Sequence, residues 1–188
     1  MRAFIALNIP AAERQALHDA TRPMREAARE ASWVAADNLH LTLKFLGEVD
    51  ESQATQLGER LAAIGAAHRP LMLDVGGAGV FPNFRAPRIV WMGVAPETKL
   101  ELLYHDVEGG CESMGFTAEA RAFRPHITLG RLKTPPSAEV RHALRDALRD
   151  CTFSTRISVA SVDLMASTLG RGGSRYSVTS AASLGEER

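Results

Sequence analysis

Two short segments that alternate apolar and polar residues, each carrying the triplet His-x-Thr, limit more than anything else what this chain can fold into. In Asn38-Leu39-His40-Leu41-Thr42-Leu43-Lys44-Phe45-Leu46-Gly47, positions 39, 41, 43 and 45 are apolar while 40, 42 and 44 are polar. Alternation with period two describes a strand with one buried face. Pro125-His126-Ile127-Thr128-Leu129-Gly130 follows the same pattern. Residues i and i+2 of a strand project from one face. Each triplet therefore presents an imidazole and a hydroxyl together, while Leu41, Leu43, Ile127 and Leu129 turn towards a core.

The surroundings of the two segments also match. Phe4-Ile5-Ala6-Leu7 reads as a strand, with Ile5 lying 35 residues before His40. Ile89-Val90-Trp91-Met92-Gly93-Val94 reads as another, with Trp91 lying 35 residues before His126. One helix fits each interval. The first opens at Pro10, with Glu13 in its first turn and Ala16, Leu17, Ala20 and Met24 on one face; the second opens at Pro96-Glu97 and runs towards Gly115. Asp50 and Gln53 have the form of a capping box for a helix reaching about Ala66, followed by a strand at 71–75. Thr134-Pro135 opens the matching helix, which runs to about Asp150. Beyond it, 153–166 reads as a strand or pair of strands, 176–178 as a last strand, and 184–188 as a tail. The Gly- and Pro-rich stretch 76–87 lacks the GxxxxGK[ST] spacing of a phosphate cradle and reads as a loop. The expected fold is α+β: one bilobal domain over 1–188, built from duplicated β-α-β-α-β units at roughly 1–75 and 88–166. Mixed or antiparallel sheets line a central groove, with helices outside.

The chain has 188 residues, of which 45% are apolar, enough for one packed domain. No apolar run approaches the ~18–20 residues that span a bilayer, and the N-terminal segment breaks at Pro10 without the form of a signal peptide. A cytoplasmic address is expected. Cys111 and Cys151 stand apart from any CxxC or Cys/His cluster, so neither a disulfide framework nor a zinc site is expected. With 22 basic and 22 acidic residues, the chain carries no overall basic footprint. An RNA partner would be gripped locally, at a terminus, rather than along its length.

Two histidines facing one groove suit phosphodiester chemistry. A neutral imidazole can take a proton from water while an imidazolium gives one to a departing ribose oxygen, since the ordinary histidine pKa is about 6.5. The hydroxyls of Thr42 and Thr128 can hold the non-bridging phosphate oxygens, and Arg131 can add a forked donor. Two His and two Thr do not make the three or four ligands that zinc takes, so no metal and no cofactor is expected. His18, His68, His105 and His142 fall in helical or loop contexts and read as ordinary surface residues. Phe45, Phe84 and Tyr176 are candidates for base stacking, with packing in core or loop as their ordinary role.

The two motifs, at this spacing and with these flanks, resemble the twin signatures of the 2H phosphoesterases, and within them the bacterial RNA 2′,3′-cyclic phosphodiesterases, also called 2′-5′ RNA ligases. The resemblance extends to Arg2-Ala3-Phe4-Ile5-Ala6-Leu7, to Ile89-Val90-Trp91 and to the stretch from Gly170-Arg171 through Tyr176. It implies a bilobal α+β fold with the groove between lobes, His40 as proton donor and His126 as proton acceptor, and phosphate binding by Thr42, Thr128 and Arg131. It further implies hydrolysis of RNA 2′,3′-cyclic phosphate ends to 2′-phosphates. The expected substrates are RNA termini or cyclic nucleotides; no membrane partner and a monomeric state are separate expectations. Three alternatives share this surface: ATP-independent 2′-5′ ligation by the reverse reaction, action on a small cyclic nucleotide or an ADP-ribose cyclic phosphate, and a non-catalytic module that binds RNA ends.

Overall fold

The computed structural model describes residues 1–170 and 173–185. Their strands form one antiparallel sheet of nine. In chain order they are β1 (Arg2–Asn8), β2 (Ser32–Trp33), β3 (His40–Glu48), β4 (Leu71–Phe81), β5 (Ile89–Val94), β6 (His126–Arg131), β7 (Ser154–Val159), β8 (Ser161–Gly170) and β9 (Gly173–Ser183). The order across the sheet is β7-β4-β5-β6-β3-β1-β8-β9, with the short β2 paired to β6. The helices are α1 (Ala11–Ala20), α2 (Arg22–Ala27), α3 (Glu51–Ala67), α4 (Thr98–Glu112) and α5 (Ala138–Arg149). The α+β class and the antiparallel pairing agree with the sequence pattern. The expected sheets are, however, one continuous sheet, joined in the middle where Leu41 of β3 faces Ile127 of β6.

Each half lends a strand to the other: β4, the strand after the first motif, pairs with β5, while after the second motif β7 pairs with β4 and the next strand, β8, pairs with β1. Ile5, Leu7, Leu41, Leu43, Leu73, Val90, Met92, Ile127, Ile157 and Leu164 bury one face of the sheet in the main core, with Leu57 and Leu61 of α3, Leu100, Leu103 and Val107 of α4, and Leu144 of α5. On the opposite face Phe4, Ala6 and Met165 form a second, small cluster with Tyr176 packed against it.

Several boundaries differ from the sequence reading. α3 begins with the expected capping box, Asp50 accepting from the Gln53 backbone at 2.7 Å and Gln53 accepting from the Asp50 backbone at 3.0 Å. α5, by contrast, starts at Ala138 rather than at Thr134-Pro135, because the Ser137 hydroxyl accepts from the Val140 N–H and caps the helix there. Met24 belongs to a separate helix, α2, after a break at Thr21. The stretch 76–87 is not a loop throughout: β4 runs through its glycines to Phe81. Gly77 takes φ +75°, open to glycine at little cost, at a bulge where the register slips between Val75 and Ala78. A Cβ on Gly79 would run into the indole of Trp91, so this glycine is the slot in which the indole lies. The last strand extends to Ser183. Leu184 is not tail but buried, its N–H donating to Ala160 O at 2.9 Å. Arg171 and residues 186–188 lie outside the described residues.

Candidate active site

The alternation that marks both motif strands holds only for their first half. Ile5 lies opposite Lys44 and Ala6 opposite Thr42, so Leu43 is the extra residue of a bulge in β3. In β6, Val90 lies opposite Gly130 and Trp91 opposite Thr128, which makes Leu129 the extra residue. A bulge reverses the phase of the side chains that follow. Lys44, expected on the open face, is consequently buried, and Phe45, expected in the core, is 69% exposed. Arg131 occupies in β6 the position of Phe45 in β3, and it too is exposed.

His40 and His126 are held in the same way. His40 Nδ1 lies 2.7 Å from the carbonyl of Asn38, and His126 Nδ1 lies 2.7 Å from the carbonyl of Arg124, each two residues back along the chain. A carbonyl oxygen only accepts, so each Nδ1 carries the proton and each Nε2 is left as the reactive nitrogen. Because Leu41 faces Ile127 in an antiparallel pair, the two histidines are diagonal neighbours across the seam. On a regular ladder such neighbours are about 7–8 Å apart. Thr42 Oγ1 lies 3.0 Å from His40 Nε2. Thr128 follows His126 by two on the same strand, and His126 Nε2 makes no hydrogen bond among the described residues.

An aromatic ring meets each imidazole edge-on. Tyr176 stands 5.3 Å from His40 at 84°, and Phe81 stands 5.1 Å from His126 at 83°. Phe4 also lies 4.9 Å from His40. Burial by these neighbours is the largest influence on both imidazoles and holds each below the ordinary histidine pKa. The carbonyl of Asn38 or Arg124 opposes this, and the positive charge of Arg131 adds to it for both. Arg131 is thus felt by both histidines, although they belong to different strands.

Sequence reasoning singled out the histidines, threonines and Arg131, and the sheet brings them to one seam. It did not find Phe4, Phe81 and Tyr176 as the rings that desolvate the histidines. Nor did it find Lys44, whose Nζ donates to both carboxylate oxygens of Glu108 at 2.9 Å and to Thr117 O at 2.8 Å. Glu108 Oε2 also accepts from the Glu119 N–H at 3.1 Å. This buried network ties β3 and α4 to the loop that leads into Arg124 and His126. Phe84 lies away from the seam, under the guanidinium of Arg145 at 5.0 Å. His18, His68 and His142 lie beside Asp19, Asp106 and Asp146, and His105 beside the Tyr104 ring. Among the described residues, no three His, Cys, Asp or Glu side chains gather as a metal site would require. Nor, among the described residues, is any helix long and apolar enough to cross a membrane.

A single curled sheet with two mirrored histidine strands at its seam defines a class of phosphoesterase folds, and the comparisons agree. Residues 10–171 match the 2′-5′ RNA ligase superfamily, and the chain belongs to that family. An RNA 2′,3′-cyclic phosphodiesterase of Geobacillus stearothermophilus is 37% identical over 68% of this chain; the match spans 41% of that relative's length. The RNA 2′,3′-cyclic phosphodiesterase of Escherichia coli is 34% identical over 93% of this chain and 92% of its own. Among solved structures, TT0787 of Thermus thermophilus superposes with a TM-score of 0.82, at 28% identity and complete coverage of both chains. E. coli LigT complexed with phosphate superposes at 0.67, with 27% identity over 98% of this chain and 97% of that one.

Proposed function

We propose that this protein hydrolyses RNA 2′,3′-cyclic phosphate ends to 2′-phosphates, without a metal, by paired acid and base catalysis at His40 and His126. The reading rests on one observation above all: two imidazoles on adjacent antiparallel strands, each with Nδ1 fixed to a carbonyl so that Nε2 is the reactive nitrogen. His126 Nε2, which has no internal partner among the described residues, takes a proton from water as the water oxygen attacks phosphorus. His40 gives its Nε2 proton to the departing 3′ oxygen as the P–O3′ bond breaks. Thr42, Thr128 and Arg131 hold the non-bridging oxygens. Without substrate, burial and Arg131 favour the neutral form of both rings. A phosphodiester anion in the groove favours the imidazolium, so His40 gains its proton as substrate binds. The phosphodiesterase relatives and the phosphate-bound neighbour support this assignment. The reading includes one bilobal domain acting as a monomer; its equivalent halves at roughly 1–75 and 88–166 are supported by the pairing of β4 with β5 and of β8 with β1, and by the twin bulges.

The test is turnover of RNA ending in a 2′,3′-cyclic phosphate, in excess chelator, by the wild type, His40→Ala and His126→Ala. The wild type should show a bell-shaped pH profile, and each variant should lose about 10²–10⁴ in rate. A substrate with a good leaving group at the ribose oxygen needs little protonation and should rescue His40→Ala alone. Near-normal turnover by either variant on RNA would end the reading, and rescue of His126→Ala instead would exchange the two roles.

A further inference from the structure

Net charge is zero, yet the charges are not evenly spread. Residues 75–96 contain Arg85 and Arg88 and no acid; residues 120–138 contain Arg121, Arg124, Arg131 and Lys133 and no acid. The β5–β6 pairing lays these two segments side by side, with Ile89 opposite Arg131. The contacts around their ends draw the cations into one strip. Arg88 Nη1 donates to Lys133 O at 3.0 Å, and the Leu132 N–H donates to Arg88 O at 2.9 Å. From α5, Arg141 Nη1 donates to Arg85 O at 3.1 Å, and Arg145 lies over the Phe84 ring.

Three arginines do have carboxylate partners: Arg121 pairs with Glu119, Arg149 with Asp146 and Asp150, and Arg156 with Asp74. Among the described residues, Arg85, Arg88, Arg131, Lys133, Arg141 and Arg145 make no ion pair with a carboxylate. Keeping six like charges together without counter-charges is unfavourable in the free protein, and a polyanion relieves it. Arg131 at one end of the strip is also the cation felt by both histidines.

Resting on the reading of the groove given above, we propose that this strip is the track for the RNA strand on the 5′ side of the cyclic phosphate. The terminal phosphate sits at the histidine seam beside Arg131. The preceding phosphodiesters pass over Arg88 and Lys133 towards Arg85, Arg141 and Arg145, and the exposed edge of Phe84 offers a surface for a base. The occupant is single-stranded, because base recognition in RNA favours unpaired ends whose bases are free to stack. The strip makes the enzyme prefer a strand end to a mononucleotide, with no sequence preference from the phosphate contacts.

The test compares wild type with the triple variant Arg85→Gln/Lys133→Gln/Arg145→Gln, three side chains that donate no hydrogen bond within the described protein. Substrates are a 2′,3′-cyclic mononucleotide and oligoribonucleotides of increasing length ending in a 2′,3′-cyclic phosphate, over a range of KCl. For the wild type, kcat/KM should rise with length through the first several nucleotides and fall with salt. The triple variant should turn over the mononucleotide at the wild-type rate, lose the gain with length, and show a log–log salt slope shallower by about 2, at ~0.7 per phosphate contact on a single strand. A wild type indifferent to length, or a variant that keeps the wild-type slope, would overturn the track. So would competition by polyglutamate as strong as that by RNA of equal charge. Anisotropy of labelled RNA on both proteins reads the strip without chemistry. A wild type that binds RNA more tightly than the variant but cleaves nothing therefore sinks the histidine reading and leaves the track standing.

Discussion

Removing the Lys44 ammonium should destabilise the protein more than removing any exposed charge. The Lys44 side chain is 4% exposed and that of Glu108 13%, so this ion pair is shielded from water. The three Nζ protons are matched by Glu108 Oε1, Glu108 Oε2 and the Thr117 carbonyl. In Lys44→Met the aliphatic volume is nearly kept. Glu108 then retains only the Glu119 N–H, and Thr117 O loses its donor. An uncompensated buried charge of this kind costs about 3–5 kcal/mol. For a chain of this size, where 1 kcal/mol moves the melting temperature by about 2–4 °C, that is a fall of roughly 6–20 °C. The control is Lys44→Met/Glu108→Gln, which removes the stranded charge but keeps an acceptor for the Glu119 N–H. The double variant should regain most of the loss, as neutral replacements of buried ion pairs do. Thermal melts followed by circular dichroism measure all three proteins. A single variant that melts like the wild type, or a double variant no more stable than the single, would refute the argument that burial makes this pair matter. Trypsin cleavage after Arg121 should be faster in the single variant, because the loop that feeds His126 is tethered through Thr117 and Glu119.

Other outcomes follow from the same geometry. Thr42→Ala and Thr128→Ala should each lower kcat by about 10²–10³, the usual loss for one missing donor to a charged oxygen; unchanged kinetics in both would show that these hydroxyls do not hold the phosphate. Both site histidines have folded-state pKa values below their unfolded value of about 6.5, so the unfolded chain binds more protons at acid pH. Their neutral burial therefore contributes stability that is full above that value and is lost as pH falls through the folded values. Urea midpoints should drop between pH 7 and 5, and less in a His40→Gln/His126→Gln variant; equal drops would place the sensitivity elsewhere. Gly79→Val should displace the Trp91 indole, with a shift in tryptophan emission and loss of stability, and an unchanged spectrum would mean that the slot is not what seats the ring.

Much of the architecture was legible in the residues. Alternation at the two motifs located β3 and β6, because neighbouring side chains on a strand are forced to opposite faces wherever the strand lies. Capping chemistry located α3 at Asp50 and Gln53, since that signal is complete within four residues. The matched intervals before His40 and His126 placed both in equivalent strands, and the motif residues themselves pointed to the family. What the sequence could not determine depends on contacts between distant segments. The bulges at Leu43 and Leu129 are set by the register against β1 and β5, so no local pattern showed that Lys44 would turn inward and Phe45 and Arg131 outward. Gly76, Gly77 and Gly79 read as a loop because the purposes of the last two, a left-handed conformation at Gly77 and a bed for Trp91 at Gly79, are visible only once β5 lies alongside. The meeting of His40 with His126, the carbonyls that fix their tautomers, and the gathering of unpaired cations from two acid-free segments were likewise decided by the sheet. Strand pairing joins residues far apart in the chain, and only the folded backbone specifies which ones meet.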